Sequence, residues 1–292
     1  MSIYGVCENK CLRELNNIFG NTNLLVNGDF QVWQRGTSFD ASVSERYSAD
    51  RWIRRNLTTK VNKLDKGLRI SNGGGQTDSC GIGQPIDNIE SLLGKTVTLS
   101  VKVTKVTGKW KLCMTKANNG AHVSGFEEVS AFITTTGVHT VTFNVPSTKS
   151  YKYHSIQLYS TTISTSDAIE IEYIKMEEGS IPTCNLRLPY IVELLECQRY
   201  YNKFPVVYIT RRISWSSDAS KTLVPALPFT DMRGEPTIKC ASITSLSGSD
   251  LGVSIASSRI AGNKYLTMLT LSADISEQDV FINDLELNAE IY

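Results

Sequence analysis

The sequence predicts an all-β chain: a two-sheet sandwich, then a second, smaller β-sandwich, with short helices at the amino terminus and between the two. Three observations lead there. First, from about residue 22 to 180, apolar and polar residues alternate at period two. In "VTLSVKV", Val97, Leu99, Val101 and Val103 share one face and Thr98, Ser100 and Lys102 the other. Second, Gly- and Asn-rich turns such as "SNGGGQTDS" and "NNGAH" separate the alternating stretches. Third, helical spacing is confined to two short segments.

Taken in order, residues 1–21 form the first unit. Leu12, Leu15 and Phe19 fall at helical spacing, closed by Gly20. An amphipathic segment this short is marginal alone in water, so it is expected to dock on its own domain, on copies of itself or on a larger assembly. The sandwich spans 22–186. Leu24, Leu25 and Val26 read as a short strand, Asn27-Gly28-Asp29 as a turn, and Phe30, Val32 and Gln34 as one face of a renewed extended run. Asp50, Arg51 and Trp52 place two opposite charges beside an indole, the composition of a buried, satisfied structural anchor. "VTFNV" with Val141, Phe143 and Val145, and "IQL" with Ile156 and Leu158, repeat the strand pattern. "AIEIEYIKMEEG" supplies a last strand, in which Ile169, Ile171 and Tyr173 alternate against Glu170 and Glu172.

Residues 187–203 read as a connecting helix, opened by Pro189 and with Ile191, Leu194, Leu195 and Gln198 on one side. Residues 204–292 return to alternation: Val207, Ile209, Arg211 and Ile213; Leu251, Val253 and Ile255; "YLTMLTL"; and Leu285, Leu287, Ala289 and Ile291. Pro225, Pro228 and Pro236 exclude central strands and favour edges or an extended connection. Such edges need covering, and a threefold partner covers them while burying apolar faces, so a homotrimer is expected.

Composition narrows the function. With 30 Lys plus Arg against 29 Asp plus Glu, no global field attracts nucleic acid or an anionic membrane. No run of about 18 apolar residues occurs, and the first ten residues lack a basic stretch followed by an apolar core, so neither membrane insertion nor export is expected. The seven cysteines (7, 11, 80, 113, 184, 197, 240) are odd in number and scattered, which fits reduced thiols and assembly in a cytoplasm. Cys7 and Cys11 have the spacing of half a zinc site, but no second pair follows, so no metal centre is predicted.

Catalytic patterns are missing too: no serine elbow, no His-Glu-x-x-His and no phosphate-cradling glycine loop, with only three histidines. The acidic pairs Glu127-Glu128, Glu170/Glu172 and Glu177-Glu178 are sequence neighbours, which rarely reach the separation a glycosidase needs, and Glu170 and Glu172 read as solvated surface. No enzyme is expected. Sugars are bound by stacking on aromatic rings, which makes Trp110, Tyr151, Tyr153 and Tyr159 the candidate carbohydrate contacts.

The landmarks "NLLVNGDFQVWQRG", "SADRW", "EEGSIPT" at 177–183, "ELLECQRYYNK" at 193–203 and "PFTDMRGEPTI" occur in one order between about 23 and 238. In this the chain resembles bacteriophage and prophage tail-fibre or receptor-binding proteins that contain a carbohydrate-binding-module-like jelly roll. The resemblance implies a virion appendage, usually a homotrimer, that recognises host cell-surface polysaccharide and touches other virion proteins, here through the amino-terminal segment. Three weak sites on one stem would supply avidity. The alternative is a purely structural appendage, such as a capsid fibre or decoration protein, without glycan binding. The resemblance also brings a structural calcium near the first and last strands. Asp29 suits it, whereas Tyr173 and Lys175 stand where a late acidic ligand is wanted.

Overall fold

The computed structural model describes residues 22–41, 46–74, 80–117, 125–148, 153–162, 164–210, 222–223, 225, 227–261, 265–275 and 279–290. Two compact units divide the chain, Met1–Glu193 and Leu194–Ile291.

In the first unit eleven strands are described: β1 (Ser38–Phe39), β2 (Ile53–Arg54), β3 (Thr59–Lys63), β4 (Leu68–Asn72), β5 (Gly81–Pro85), β6 (Thr96–Thr107), β7 (Trp110–Ala117), β8 (Gly125–Val129), β9 (Gly137–Asn144), β10 (Tyr153–Ser160) and β11 (Ala168–Glu178). They form a six-stranded sheet in the order β1-β3-β4-β11-β6-β9 and a five-stranded sheet in the order β2-β5-β10-β7-β8. From β4 to β7, and again from β8 to β11, the chain changes sheet at each step, the jelly-roll pattern of crossing connections. Neighbouring strands pair antiparallel, and side chains of both sheets meet in one core. The expected inward residues Val97, Leu99, Val101, Val103, Ile156 and Leu158 are essentially fully buried there.

The last strand departs from simple alternation. Ile169 and Ile171 point inward, register shifts flank Ile171, and Ile174 and Met176 then face the core while Tyr173 is half-buried. One extra residue has reversed the face. Gly67, at φ +80°, packs against this irregularity, where a Cβ would collide with the Ile171 carbonyl.

The stretch expected as a first strand is irregular instead. Leu24 is exposed, and residues 22–36 make bends and turns whose backbone groups are bonded one by one. Leu24 N–H donates to the Met176 carbonyl (2.8 Å), and Ile174 N–H to the Gly28 carbonyl (2.8 Å). The Asn23 side chain donates to the Ile174 carbonyl (3.0 Å) and accepts from Met176 N–H (3.0 Å). An asparagine side chain thus supplies the donor and acceptor that a strand ladder would have supplied.

At the end of β11, Glu177 and Thr183 of the "EEGSIPT" landmark belong to a buried ionic latch. The Lys175 ammonium, 1% exposed, lies 3.0 Å from the Glu177 carboxylate and donates to Thr183 Oγ1 (2.5 Å) and the Cys184 carbonyl (3.0 Å). Glu177 accepts from Thr183 N–H (2.8 Å) and the Thr183 hydroxyl (2.5 Å).

A nine-residue helix, α1 (Tyr190–Gln198), follows, shorter than expected because a strand already begins at Tyr201. Its buried positions are Glu193 and Cys197, while Ile191 and Leu195 are exposed, the reverse of the expected apolar face. The second unit carries β12 (Tyr201–Thr210), β13 (Thr222–Leu223), β14 (Leu227–Pro228), β15 (Thr237–Lys239), β16 (Ser242–Ser245), β17 (Ile255–Ala261), β18 (Tyr265–Leu271) and β19 (Asp279–Asn288). Two four-stranded sheets, centred on β19 and β18, enclose a core of Val207, Ile209, Leu266, Leu269, Ile282, Leu285 and Leu287. Pro228 lies in a two-residue outer strand, as its missing N–H requires. Arg211, Ile213 and Ile291 lie outside the described residues.

The latch gives a stability test. Lys175→Ala leaves a buried carboxylate without its cation and is expected to lower unfolding free energy by about 3–5 kcal/mol in urea titration. Removing both Lys175 and Glu177 should cost less than the sum of the single changes; strict additivity would show that the pair is not coupled.

Candidate functional site: the outer face of the five-stranded sheet

The frame of the site starts at Asn27, whose φ of +56° turns the chain and aims its side chain inward. Its amide donates to the Val32 carbonyl (2.9 Å) and the Asp50 carbonyl (3.0 Å), and its oxygen accepts from Val32 N–H (3.0 Å). Its own carbonyl accepts from the Trp52 indole (2.9 Å), and its N–H donates to the Glu193 carboxylate. Asp50, Arg51 and Trp52 are all buried. The Asp50 carboxylate accepts from Gln34 N–H (3.0 Å) and the Gln34 amide (2.5 Å) and lies 3.8 Å from Arg35, while Arg51 pairs with Asp87 (3.1 Å). Phe30 packs on the Trp52 ring, centroids 5.1 Å apart. All three side chains of the triplet are thus held inside the fold by named partners.

From Trp52 the chain runs directly into β2, where Arg54 and Arg55 take opposite sides. Arg54 is buried and donates to the carbonyls of Asp40, Leu57 and Thr59, each at 3.1 Å. Arg55 N–H donates to the Gly81 carbonyl (2.8 Å), and its side chain goes to the outer face. There its guanidinium lies 4.9 Å from the Tyr159 ring centroid and donates to the Gln157 amide oxygen (2.7 Å).

Glycine makes this possible. Gly81 pairs with Tyr159 and Gly83 with Gln157, and a Cβ on Gly81 would stand 2.8 Å from Tyr159 Cα and Cβ. Strand β5 therefore offers a bare floor across which Arg55 reaches the tyrosine. On the other side of β10, Lys111 is the register partner of Tyr159. The Lys111 ammonium lies 4.7 Å, and that of Lys109 5.6 Å, from the ring centroid of Phe132, which is 54% exposed. Phe132, Lys111, Tyr159 and Arg55 thus form a strip in which aromatic rings and cations alternate across β7, β10 and β5.

Further along the same face, Cys113 and Thr115 are buried although they point away from the core. Burial pushes the Cys113 thiol up to about 12, against a smaller opposing pull from Arg55, and pushes the Cys80 thiol up to about 11. The Tyr159 hydroxyl is also raised, first by burial and then by Cys113, with Arg55 opposing.

Of the four sequence candidates, only Tyr159 is seen on this surface. Trp110 is a correction: it is 0% exposed, packs in the core and donates its indole N–H to the Thr107 carbonyl (2.8 Å), so its ring has no free face for a sugar. Tyr151 lies outside the described residues, and of Tyr153 only the backbone is described, paired with Ala117 at the far end of β10. Leu12, Leu15, Phe19, Cys7 and Cys11 also lie outside them. Sequence reasoning missed Arg55, Lys111, Gln157 and Phe132 as site residues. The signal for the floor was present in "GIGQP", since glycines two apart in a strand bare one face.

The donor set does not fit a structural calcium. Asp29 accepts from the Gln31 amide (2.9 and 3.1 Å) and pairs with Arg187 (3.2 Å), and burial raises its pKa against those two partners. Lys175 already places a cation among the oxygens of Glu177, Thr183 and Cys184. Among the described residues no group of three or more His, Cys, Asp or Glu gathers as a metal site.

No family model matches the chain, and no curated protein matches it. Several solved structures are similar to it. One is described as a CBM4 structure (14% identity, 52% of this chain and 98% of that one, TM-score 0.37). Another is a cyclase from Fischerella sp. TAU (11%, 54% and 96%, TM-score 0.36). A third is the enzymatically active domain of Bacteriophage CBA120 tailspike protein 4 (11%, 54% and 21%, TM-score 0.34). Their identities and scores are too low to carry an argument about activity.

Two consequences are measurable. Cys80 and Cys113 should resist a thiol reagent in the native protein at pH 8 and react on unfolding; rapid native labelling of either would contradict their burial. Because both folded pKa values are raised above 9.0, their contribution to stability is complete below pH 9 and is lost as pH rises toward 11 to 12.

Proposed function

We propose that the chain is a phage virion appendage, a tail fibre or receptor-binding protein, that binds host cell-surface glycan on the outer face of its five-stranded sheet. The observation that carries this reading is a pair of aromatic rings on that face, the partly buried Tyr159 on its glycine floor beneath Arg55 and the exposed Phe132 beside Lys111. An aromatic plane with a polar group at its edge is how proteins take a sugar, whose apolar face stacks while its hydroxyls are hydrogen-bonded. The virion setting, with assembly in the bacterial cytoplasm, rests on the resemblance of the ordered sequence landmarks to those of phage appendage proteins. No catalytic role is assigned to the face.

A homotrimer belongs to the same proposal, through the second unit. Val206 and Tyr208 on β12 are 57% and 54% exposed, and Tyr208 packs on Phe281 of β19 with ring centroids 5.5 Å apart. An apolar strip on an outer strand is what a symmetric partner would cover.

One observation favours a second reading, a structural appendage without glycan binding. Ile181, Leu186, Leu188, Tyr190, Ile191 and Val192 are all exposed within twelve residues, a concentration of apolar side chains suited to docking on another virion protein.

The readings separate on a glycan array. Tyr159→Ala should abolish binding to the recognised glycan while the melting temperature stays within about 2 °C, as for a surface change; retained binding would remove Tyr159 from the site. An array without hits, together with tight association of the chain with another virion protein, would favour the structural reading. Light scattering at micromolar concentration should give three times the 32.4 kDa chain mass, and a monomer would count against the trimer.

A further inference from the structure

Carboxylates are distributed unequally over the strands of the two sheets. On the six-stranded sheet four surface cations have carboxylate partners: Lys60 with Asp40 (3.7 Å), Arg69 with Glu170 (3.3 Å), Lys105 with Glu170 (3.9 Å) and Lys95 with Glu178 (2.8 Å). On the five-stranded sheet, β2, β5, β10 and β7 contain no Asp or Glu at all. The carboxylates of this sheet, Glu127 and Glu128, belong to β8, where Glu128 pairs with Met114, three residues along β7 from Lys111. Lys109 and Lys111 have no carboxylate within ion-pair distance among the described residues. Both stand over Phe132 instead.

An exposed aromatic ring gives an ammonium only about 0.5–1 kcal/mol, so this arrangement leaves two cations ready for an anion. From Lys111 to Arg55 the strip crosses three strand spacings, about 14 Å. Each aromatic ring on it has a cation over it within 6 Å of the centroid. A sugar that carries an acidic group matches that pairing, with its anion on a lysine ammonium and its apolar side against the exposed part of the Phe132 ring.

We infer that the glycan bound on this face is anionic, a polysaccharide with carboxylate, phosphate or sulfate groups, and that Lys111 and Lys109 select it over neutral polymers. This rests on the glycan reading of the Tyr159 face and names its ligand class. Single-stranded nucleic acid also combines bases with anions, but the chain's net charge of +1 provides no broad field to gather it.

The test uses the full-length protein on an array of acidic and neutral glycans, followed by titration with polygalacturonate, dextran sulfate, neutral dextran and a poly(dT) oligonucleotide. Acidic glycans should be bound and neutral ones not. Polygalacturonate and dextran sulfate distinguish a carboxylate from a sulfate requirement. Binding should weaken as salt rises from about 0.01 to 1 M, which shortens the Debye length from about 30 to 3 Å. Lys111→Gln should weaken it about tenfold at low salt without moving the melting temperature, the loss typical of one charge-assisted contact. Arrest of neutral glycans as tightly as acidic ones, lost in Tyr159→Ala but unchanged in Lys111→Gln, would overturn the anion selectivity and leave the glycan face standing. Failure to bind any glycan would remove both. Tighter binding of poly(dT) than of any polysaccharide would overturn the inference in favour of nucleic acid.

Discussion

Everything in the first unit is referred to one buried side chain, Asn27. It sits where the chain must turn without a strand ladder, so the backbone groups of the turn need partners that neither water nor a neighbouring strand supplies. Asn27 meets that need with donors to Val32 and Asp50, an acceptor for Val32, and a carbonyl that receives the Trp52 indole. Its N–H reaches Glu193 in the first turn of α1, which ties the opening loop to a residue 166 positions away. That requirement also explains why a helix with abundant apolar residues buries a glutamate.

The same node sets the candidate binding face. Trp52 is pinned by Asn27, and the next three residues inherit its position: Ile53 and Arg54 pair with Gly83 and Ile82, and Arg55 is delivered above Gly81. Period-two alternation then separates the two arginines by role. Arg54 ties three carbonyls inside the sandwich, while Arg55 lies over Tyr159 outside it. Structure and candidate chemistry are thus joined by four consecutive residues. The latch between Lys175 and Glu177 plays the corresponding part next to the opening loop, which is bonded to Ile174 and Met176 on either side of Lys175. It fixes the segment after β11 with a cation built into the chain, in the neighbourhood where a bound ion is expected from the resemblance.

Much of this was legible in the sequence, and what was not has identifiable causes. Regular half-buried strands such as β6 show themselves through alternation, and Asp50, Arg51 and Trp52 through their composition. Leu24 to Val26 look like a strand because they are apolar, but their backbone bonds are supplied by asparagine side chains and single contacts, which leave no periodic trace. The reversal of faces in β11 depends on one extra residue, and nothing in "AIEIEYIKM" marks where it falls. The two aromatic candidates were separable by parity alone. Trp110 is in phase with Leu112 and Met114 and so turns inward, whereas Tyr159 is out of phase with Ile156 and Leu158 and turns out. Phe132 and Arg55 come from distant connections, so their meeting with Lys111 and Tyr159 is a product of topology that local pattern does not encode.

The account is tested most directly by hydrogen–deuterium exchange of the full-length protein with and without a glycan that it captures. Slowed exchange concentrated in residues 53–55, 81–85, 109–113 and 155–160 is the result predicted for a ligand lying across the outer face of the five-stranded sheet. Protection confined to residues 181–192 or to the second unit, with that face unchanged, would contradict it.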